Sequence, residues 1–132
     1  MKTYLLDTNI LIALFSKFHH ITIKKRIEKL RTKRSRLATC GFVLAEFYQG
    51  IAPEHAEYYS FHLDQLVYLP STRSCFENAG SLSYKLKKAG KETSLGDCFI
   101  AACAKKYGAT IITLDKDFKK IPGIKVKHLA AR

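Results

Sequence analysis

The sequence predicts a three-layer α/β/α domain, with a central, mostly parallel β-sheet between two layers of helices. Short apolar runs alternate with longer segments of helical periodicity along the chain, and this alternation is typical of a parallel sheet covered on both faces. The chain has 132 residues, of which 47% are hydrophobic, and this length and composition suit one core. We therefore expect one domain over residues 1–132.

Five short runs predict the strands of this sheet. The runs at 2–6 and 109–113 are short and largely apolar, and they predict buried strands. Shorter strands are predicted at 36–39, 66–69 and 124–128. An acid follows the 2–6 strand directly and the 109–113 strand after one leucine, which places a carboxylate at the end of each strand.

Helical periodicity and end signals predict the helices. They are expected at 8–16, 42–49, 53–63, 72–89 and 94–107, with glycines at 50, 90 and 108 ending three of them. Within 72–89, one apolar face is predicted to be buried, and it consists of Phe76, Ala79, Leu82, Leu86 and Ala89. The 94–107 helix is apolar nearly all round, so we expect it in the middle of the core.

The charge of the chain points to a polyanionic partner. Lys and Arg number 23 against 11 Asp and Glu, which gives a net charge of +12, and such an excess indicates binding to nucleic acid. The densest basic segment carries an apolar stripe of Ile23, Ile27 and Leu30 at helical spacing. Its cationic face is expected to contact phosphates through Lys24, Lys25, Arg26, Lys29, Arg31, Lys33 and Arg34. A solvated or partner-facing helix is the alternative.

Other classes of protein are excluded by absent signals. No apolar run reaches the length of a membrane span and no signal peptide precedes the first strand, so we expect a cytoplasmic protein without membrane contact. The cysteines form no C-x-x-C pair and have apolar neighbours; they are Cys40, Cys75, Cys98 and Cys103. We interpret them as reduced core residues rather than zinc ligands.

Two acids stand at the carboxyl ends of the buried strands, where parallel α/β sheets bind ligands. Asp7 follows the first strand and Asp115 follows the fourth, with Asp117 close by. Each also has a simple local explanation, because Asp caps helices and favours turns. Two strands that end in the same way are nevertheless a pattern, so we treat both acids as candidate site residues.

Two further acids lie on predicted helices. Glu46 sits within the 42–49 helix, where an exposed glutamate is the ordinary alternative. Asp97 follows Ser94 by three residues, which resembles a capping box. The amide dipoles at that helix start are expected to stabilise the Asp97 carboxylate as an anion.

Four carboxylates at one sheet edge repel one another, and a divalent cation would relieve this repulsion. Oxygen ligands suit Mg²⁺ or Mn²⁺ rather than zinc or copper. Such a cation beside a phosphodiester held by lysine and arginine can activate water and stabilise the leaving oxygen. The pattern is that of a metal-dependent nuclease.

These motifs resemble the PIN-domain family of ribonucleases, and in particular its single-domain toxins of VapC type. Four local matches occur in the family's order over nearly the whole chain. They are Leu6–Ile12 with Asp7, Thr39–Gly50 with Glu46, Asp97–Ala104, and Thr113–Phe118 with Asp115. Each match alone is weak, but the ordered set is specific. A departure is Cys40–Gly41, which is expected to soften the start of the second motif's helix.

The resemblance implies a PIN-like fold and a metal-dependent endoribonuclease, the toxin of a toxin–antitoxin pair. It implies that Mg²⁺ or Mn²⁺ is held by the four catalytic acids Asp7, Glu46, Asp97 and Asp115, with Asp117 as the alternative fourth acid. Thr8, Asn9 and Thr113 would orient these carboxylates or water. A small antitoxin partner and a homodimer are implied as well.

Other functions remain open at this point. A catalytically inactive or housekeeping nucleic-acid-binding relative would explain the charge equally well. A structure-specific DNA nuclease is a further alternative. An aspartate-nucleophile phosphatase is disfavoured, because it needs a second Asp two positions after the first, where this chain has Asn9.

Overall fold

The structure of the chain is a computed structural model that describes residues 1–16 and 20–129. Residues 17–19 and 130–132, which belong to the predicted domain, lie outside the described part. No helix in that part combines the length and the apolarity needed to cross a membrane.

The described strands form one five-stranded sheet in which every neighbouring pair is parallel. The strands are β1 Lys2–Leu6, β2 Ser35–Cys40, β3 Val67–Leu69, β4 Thr110–Thr113 and β5 Lys125–His128. Their order across the sheet is β3-β2-β1-β4-β5. All five strands were predicted, and the parallel sheet is confirmed.

Six α-helices lie in the described residues. They are α1 Thr8–Phe15, α2 Ile21–Leu30, α3 Gly41–Gln49, α4 Ala56–Leu63, α5 Arg73–Lys88 and α6 Leu95–Tyr107. Two short 3₁₀ helices, Pro53–His55 and Lys116–Lys120, precede α4 and β5. The helix α6 ends at Gly108, whose φ of 64° is left-handed and favours glycine. Each predicted helix is present to within a few residues.

The strand order places a crevice between β1 and β4. Connections between parallel strands are right-handed, so α1 to α4, which link β1 to β2 and β2 to β3, cover one face of the sheet. The chain then returns past β1 to β4 through α5 and α6, which cover the other face. This gives the predicted three layers. The order in which strands are added to the sheet reverses between β1 and β4, and open α/β sheets bind ligands at such a point.

The core lies around the two central strands. Leu5, Leu6, Ile111 and Ile112 are completely buried because helices cover both faces of β1 and β4. The helix α6 is buried along most of its length, as predicted. All four cysteines are buried and free, as predicted.

The predicted apolar face of α5 is partly wrong. Ala79 and Leu86 are buried and Leu82 is half-buried, but Phe76 and Ala89 are exposed. The buried face of α5 is narrower than the apolar spacing implies, because α5 packs mainly against one neighbour, α6. The exposed Phe76 ring instead packs on the Phe99 ring, with 4.6 Å between the ring centroids.

Candidate active site

Asp7 lies at the carboxyl end of β1 and is only 5% exposed. Its backbone N–H extends the sheet by donating to the Ile112 carbonyl at 3.0 Å. Its Oδ1 accepts from the Thr8 N–H at 2.8 Å, so Asp7 caps α1. Its Oδ2 accepts from the Thr113 hydroxyl at 2.7 Å. The cap and the site are therefore the same carboxylate.

Asn9 and Thr113 join the ends of β1 and β4. Asn9 Nδ2 donates to Asp7 Oδ2 at 3.3 Å, and Asn9 Oδ1 accepts from the Leu114 N–H at 3.2 Å. Thr113 Oγ1 accepts from the Asp115 N–H at 2.9 Å while its proton goes to Asp7. These bonds hold the Asp7 side chain and the start of the Asp115 turn in one arrangement.

Three carboxylates converge at this edge of the sheet. One oxygen from each of Asp97, Asp115 and Asp117 lies within 4.8 Å of the other two. The Asp117 N–H also donates to Asp115 Oδ1 at 2.9 Å, which closes the turn. Asp117, expected only as an alternative, is thus one of the three. Within the part of the chain that the structure describes, the group does not include Asp7 or Glu46.

Asp97 occupies the first turn of α6, where Ser94 Oγ accepts from the Asp97 N–H at 3.1 Å. The expectation that this helix start stabilises the anion is wrong in its net effect. Burial, followed by the charges of Asp7 and Asp115, raises the pKa of Asp97 to about 6. The side-chain hydrogen bond with Ser94 lowers the pKa of Asp97, but burial and the neighbouring charges raise it by more.

Asp7 and Glu46 lie close enough to the other acids for their charges to interact with them. Burial raises the pKa of Asp7, the hydrogen bonds from Thr113 and Thr8 oppose the rise, and the charges of Glu46 and Asp115 add to it. Glu46 is exposed on α3, and the Thr8 hydroxyl donates to its Oε1 at 2.7 Å. Thr8 therefore ties Glu46 to the residue that follows Asp7.

The donor set fits a hard divalent cation. All candidate ligands are carboxylate oxygens, the atoms that Mg²⁺ and Mn²⁺ prefer. The carboxyls of Asp7 and Asp97 have raised pKa values partly because they face other carboxylates. A cation among them would reverse this repulsion.

The basic segment is spread over a wider area than a single phosphate site. Ile23 and Ile27 are buried under α2, as the amphipathic pattern predicts. Lys24 donates to the Ser16 carbonyl, and the Arg31 side chain lies 3.2 Å from Glu28. Near the end of the segment, the Arg34 carbonyl accepts from the Lys2 N–H.

That contact places the end of the basic segment at the amino edge of the sheet. Lys2 and Asp7 are five residues apart along β1, which is about 16 Å at roughly 3.3 Å per residue. Lys33 and Arg34 therefore lie at the opposite edge of the sheet from the acids.

One cation beside the acids was not among the predicted site residues. Lys120 Nζ lies 3.2 Å from Asp117 Oδ1. The sequence does contain a signal for this ion pair, because Asp117 and Lys120 are three residues apart. No helix was predicted for this segment, so the spacing alone did not place the two side chains on one face.

Comparison with known proteins supports the fold. The model of the PIN domain family matches residues 4–124. A chain in the structure of VapBC2 from Rickettsia felis, bound to a DNA fragment from their promoter, aligns with a TM-score of 0.82 at 26% identity, covering 96% of this chain and 98% of that one. A chain of VapBC-1 from nontypeable Haemophilus influenzae aligns with a TM-score of 0.78 at 25% identity, covering 96% and 97%.

A chain of a toxin–antitoxin complex from Klebsiella pneumoniae aligns with a TM-score of 0.74 at 26% identity, covering 96% of this chain and 99% of that one. No curated protein matches the sequence. The family match spans most of β1, then β2 to β4, the six helices and all the acids described above, and it ends just before β5. The chain therefore belongs to the PIN-domain family of nucleases and, within it, resembles the VapC-type toxins.

Proposed function

We propose that this protein is an endoribonuclease that depends on Mg²⁺ or Mn²⁺ and is the toxin of a toxin–antitoxin pair. The observation that carries the proposal is the convergence of Asp97, Asp115 and Asp117 beside the buried Asp7. A chain of net charge +12 that gathers acids at one edge has a place for a cation within a surface suited to RNA. We expect it to act in the cytoplasm.

Asp97, Asp115 and Asp117, with Asp7 behind them, would hold the cation, and Asp7 is the acid whose position the fold controls most closely. When bound, the cation would activate a water molecule and stabilise charge on the phosphate. Thr113 and Asn9 keep the Asp7 carboxylate in place through their hydrogen bonds. The family resemblance implies products with 5′-phosphate and 3′-hydroxyl ends.

Glu46 has a different position from the other acids, since it is exposed and held by Thr8. Its carboxylate can accept a hydrogen bond from the attacking water, and it can also complete the set of ligands. We assign it to the catalytic group in either role.

We also propose an antitoxin partner and a homodimer. The Rickettsia felis and Haemophilus influenzae structures are VapBC assemblies, and their similarity to this chain supports a partner protein of the same kind. Large exposed apolar side chains are available for such contacts on α1, α2 and α4; they are Ile12, Ile21, Tyr58 and Phe61. A second set, Phe76 and Leu95, lies on α5 and α6 and would suit a second copy.

The test is cleavage of a total-RNA pool by the purified protein and by an Asp7→Asn variant. We expect cleavage with Mg²⁺ or Mn²⁺, none with chelator, and a loss of at least about a hundredfold in the variant, because an oriented charge at a reaction centre is worth several kcal/mol. A Glu77→Gln variant is the control, since Glu77 is an exposed acid paired with Arg73 outside the site. Expression of the chain alone should slow growth, and the Asp7→Asn variant should not.

Three results would contradict the proposal. RNA binding without cleavage under every metal would leave a nucleic-acid-binding protein. Cleavage of duplex DNA in preference to RNA would indicate a DNA nuclease. Equal activity of the Asp7→Asn and wild-type proteins would show that Asp7 acts only as a helix cap.

A further inference from the structure

The 3₁₀ helix Lys116–Lys120 begins directly after Asp115, at the edge of the sheet that carries the acids. A 3₁₀ helix has three residues per turn, so side chains three positions apart lie on the same face. Its five residues therefore form three faces. Phe118 is completely buried and anchors one face in the core. Asp117 and Lys120 share the second face, and Lys116 and Lys119 share the third.

The face with Asp117 and Lys120 points toward the acids. The Asp117 carboxylate belongs to the group it forms with Asp97 and Asp115. Lys120 Nζ lies 3.2 Å from Asp117 Oδ1. A residue of the candidate metal site therefore holds this ammonium group at the rim of the site.

Exposed ion pairs three residues apart are common on helices and contribute little to stability. The surroundings of this pair are different. The Lys120 and Asp117 side chains are 44% and 52% exposed, and among the ion pairs of the described residues this acid is the most sheltered. A phosphodiester that reaches the acids must also pass close to the ammonium group. Lysine, a compact charge on a flexible stem, is a common phosphate ligand.

The end of the basic segment, at Lys33 and Arg34, cannot contact a phosphate that lies at the acids. Lys33 and Arg34 lie near Lys2, about 16 Å along β1 from Asp7 at roughly 3.3 Å per residue. A lysine or arginine side chain is too short to cross that distance. These cations can contact only parts of an RNA chain that are remote from the bond to be cleaved.

We propose that Lys120 binds the phosphate at which the RNA is cleaved and keeps the backbone over the acids. The inference rests on the proposed ribonuclease function and adds to it a residue that holds the substrate. Lys33 and Arg34 then contact flanking RNA and contribute affinity rather than alignment.

The test compares Lys120→Gln with Lys119→Gln, which removes the same charge from the neighbouring face of the same short helix. We expect Lys120→Gln to lower kcat/KM for RNA by about 10- to 100-fold, the value of a charge-assisted hydrogen bond. Lys120→Arg should restore most of the activity, and Lys119→Gln should change it by about threefold or less.

A binding measurement adds a readout that does not require metal or cleavage. In an Asp7→Asn background with chelator, we expect Lys120→Gln to reduce the slope of log Kd against log salt by about 0.7, the amount for one phosphate contact on single-stranded RNA. Lys119→Gln should leave the slope nearly unchanged. A Lys33→Gln/Arg34→Gln double variant should weaken binding of long RNA.

The outcomes separate this inference from the proposed function. Equal losses in Lys120→Gln and Lys119→Gln would overturn it, because only general charge would then matter. A Lys120→Gln loss that follows a fall in melting temperature would also overturn it and make Lys120 structural. If the wild-type protein cleaves no RNA, the proposed function fails first and the inference fails with it.

Discussion

A single carboxyl shows how strongly the acids act on one another. Asp97 lies at a helix start, where dipoles favour an anion, yet burial and two neighbouring acids raise its pKa to about 6. The local helix effect is therefore smaller than the combined effect of burial and charge. In the metal-free protein, this ionised side chain opposes folding, and the same feature prepares it to bind a cation.

We predict that Asp97→Asn stabilises the metal-free protein near pH 8. The pKa of Asp97 is about 6 when folded, above its ordinary value of 3.8, so protonation favours the folded state. This part of the stability is present at low pH and is lost as pH rises from about 4 through 6. The Asn variant should therefore melt about 2–5 °C higher than wild type at pH 8 in chelator, with little difference near pH 4.

Thermal melting of both proteins across this range, always in chelator, is the measurement. Asp64→Asn serves as the control because Asp64 is exposed at the end of α4. A difference between Asp97→Asn and wild type that does not grow with pH would contradict the argument. So would a variant that melts lower than wild type at pH 8.

At the level of elements, the site depends on a close approach of α3 and α6. Gly96 lies beside Asp97, and a Cβ there would come within 2.4 Å of the Phe42 ring. Phe42 in turn lies on α3, one turn before Glu46. Cys40 precedes α3 and makes no side-chain cap bond. A small change at Gly96 should therefore move the two helices that carry these acids.

We predict that Gly96→Ala lowers both stability and cleavage. The added methyl group should cost about 1–3 kcal/mol, as overpacking generally does, and should displace Asp97 relative to Glu46. Gly80→Ala is the matched control, since Gly80 is an exposed helical glycine with no atom within 4 Å of an added Cβ. It should stabilise the protein by about 0.5–1 kcal/mol.

Denaturant unfolding and RNA cleavage of the two glycine variants provide the check. Wild-type activity in Gly96→Ala would mean that the contact between Gly96 and Phe42 does not set the position of Asp97. A destabilised Gly80→Ala would show that α5 is constrained on its exposed face by contacts other than those described.

At the level of the whole molecule, one apolar surface lies beside the acids. Phe76 and Leu95 are 59% and 62% exposed, and the Phe76 ring contacts the Phe99 ring. Large exposed apolar side chains that cluster in this way mark interaction surfaces. Phe76, which departs from the predicted buried face of α5, is part of this surface.

We predict that the wild-type chain is a homodimer and that a Phe76→Ser/Leu95→Ser variant is a monomer. Light scattering should give about twice the chain mass of 15.0 kDa for wild type and the single mass for the variant. Tyr84→Ser is the control, because Tyr84 is exposed on the same helix under Lys88. A monomeric wild type, or a variant that remains dimeric, would contradict the prediction.

Much of the fold could be predicted because its signals are local. The period of apolar residues located β1 and β4, and glycines such as Gly108 located helix ends. Parallel strands of this kind place their carboxyl ends at one edge, so Asp7 and Asp115 could be paired before any coordinates existed. Phe76 could not be placed correctly, because the width of a buried helix face depends on which neighbours cover it.

The sequence by itself determined the order of elements, the parallel sheet and the candidate acids, since each follows from spacing along the chain. Tertiary structure decided which acids meet: Asp117 joins Asp97 and Asp115, while Glu46 stays exposed. It also reversed the expected effect on the Asp97 charge and brought Lys120 to the acids. The physical reason is that burial and distances between side chains depend on residues far apart in the chain, which sequence spacing does not measure.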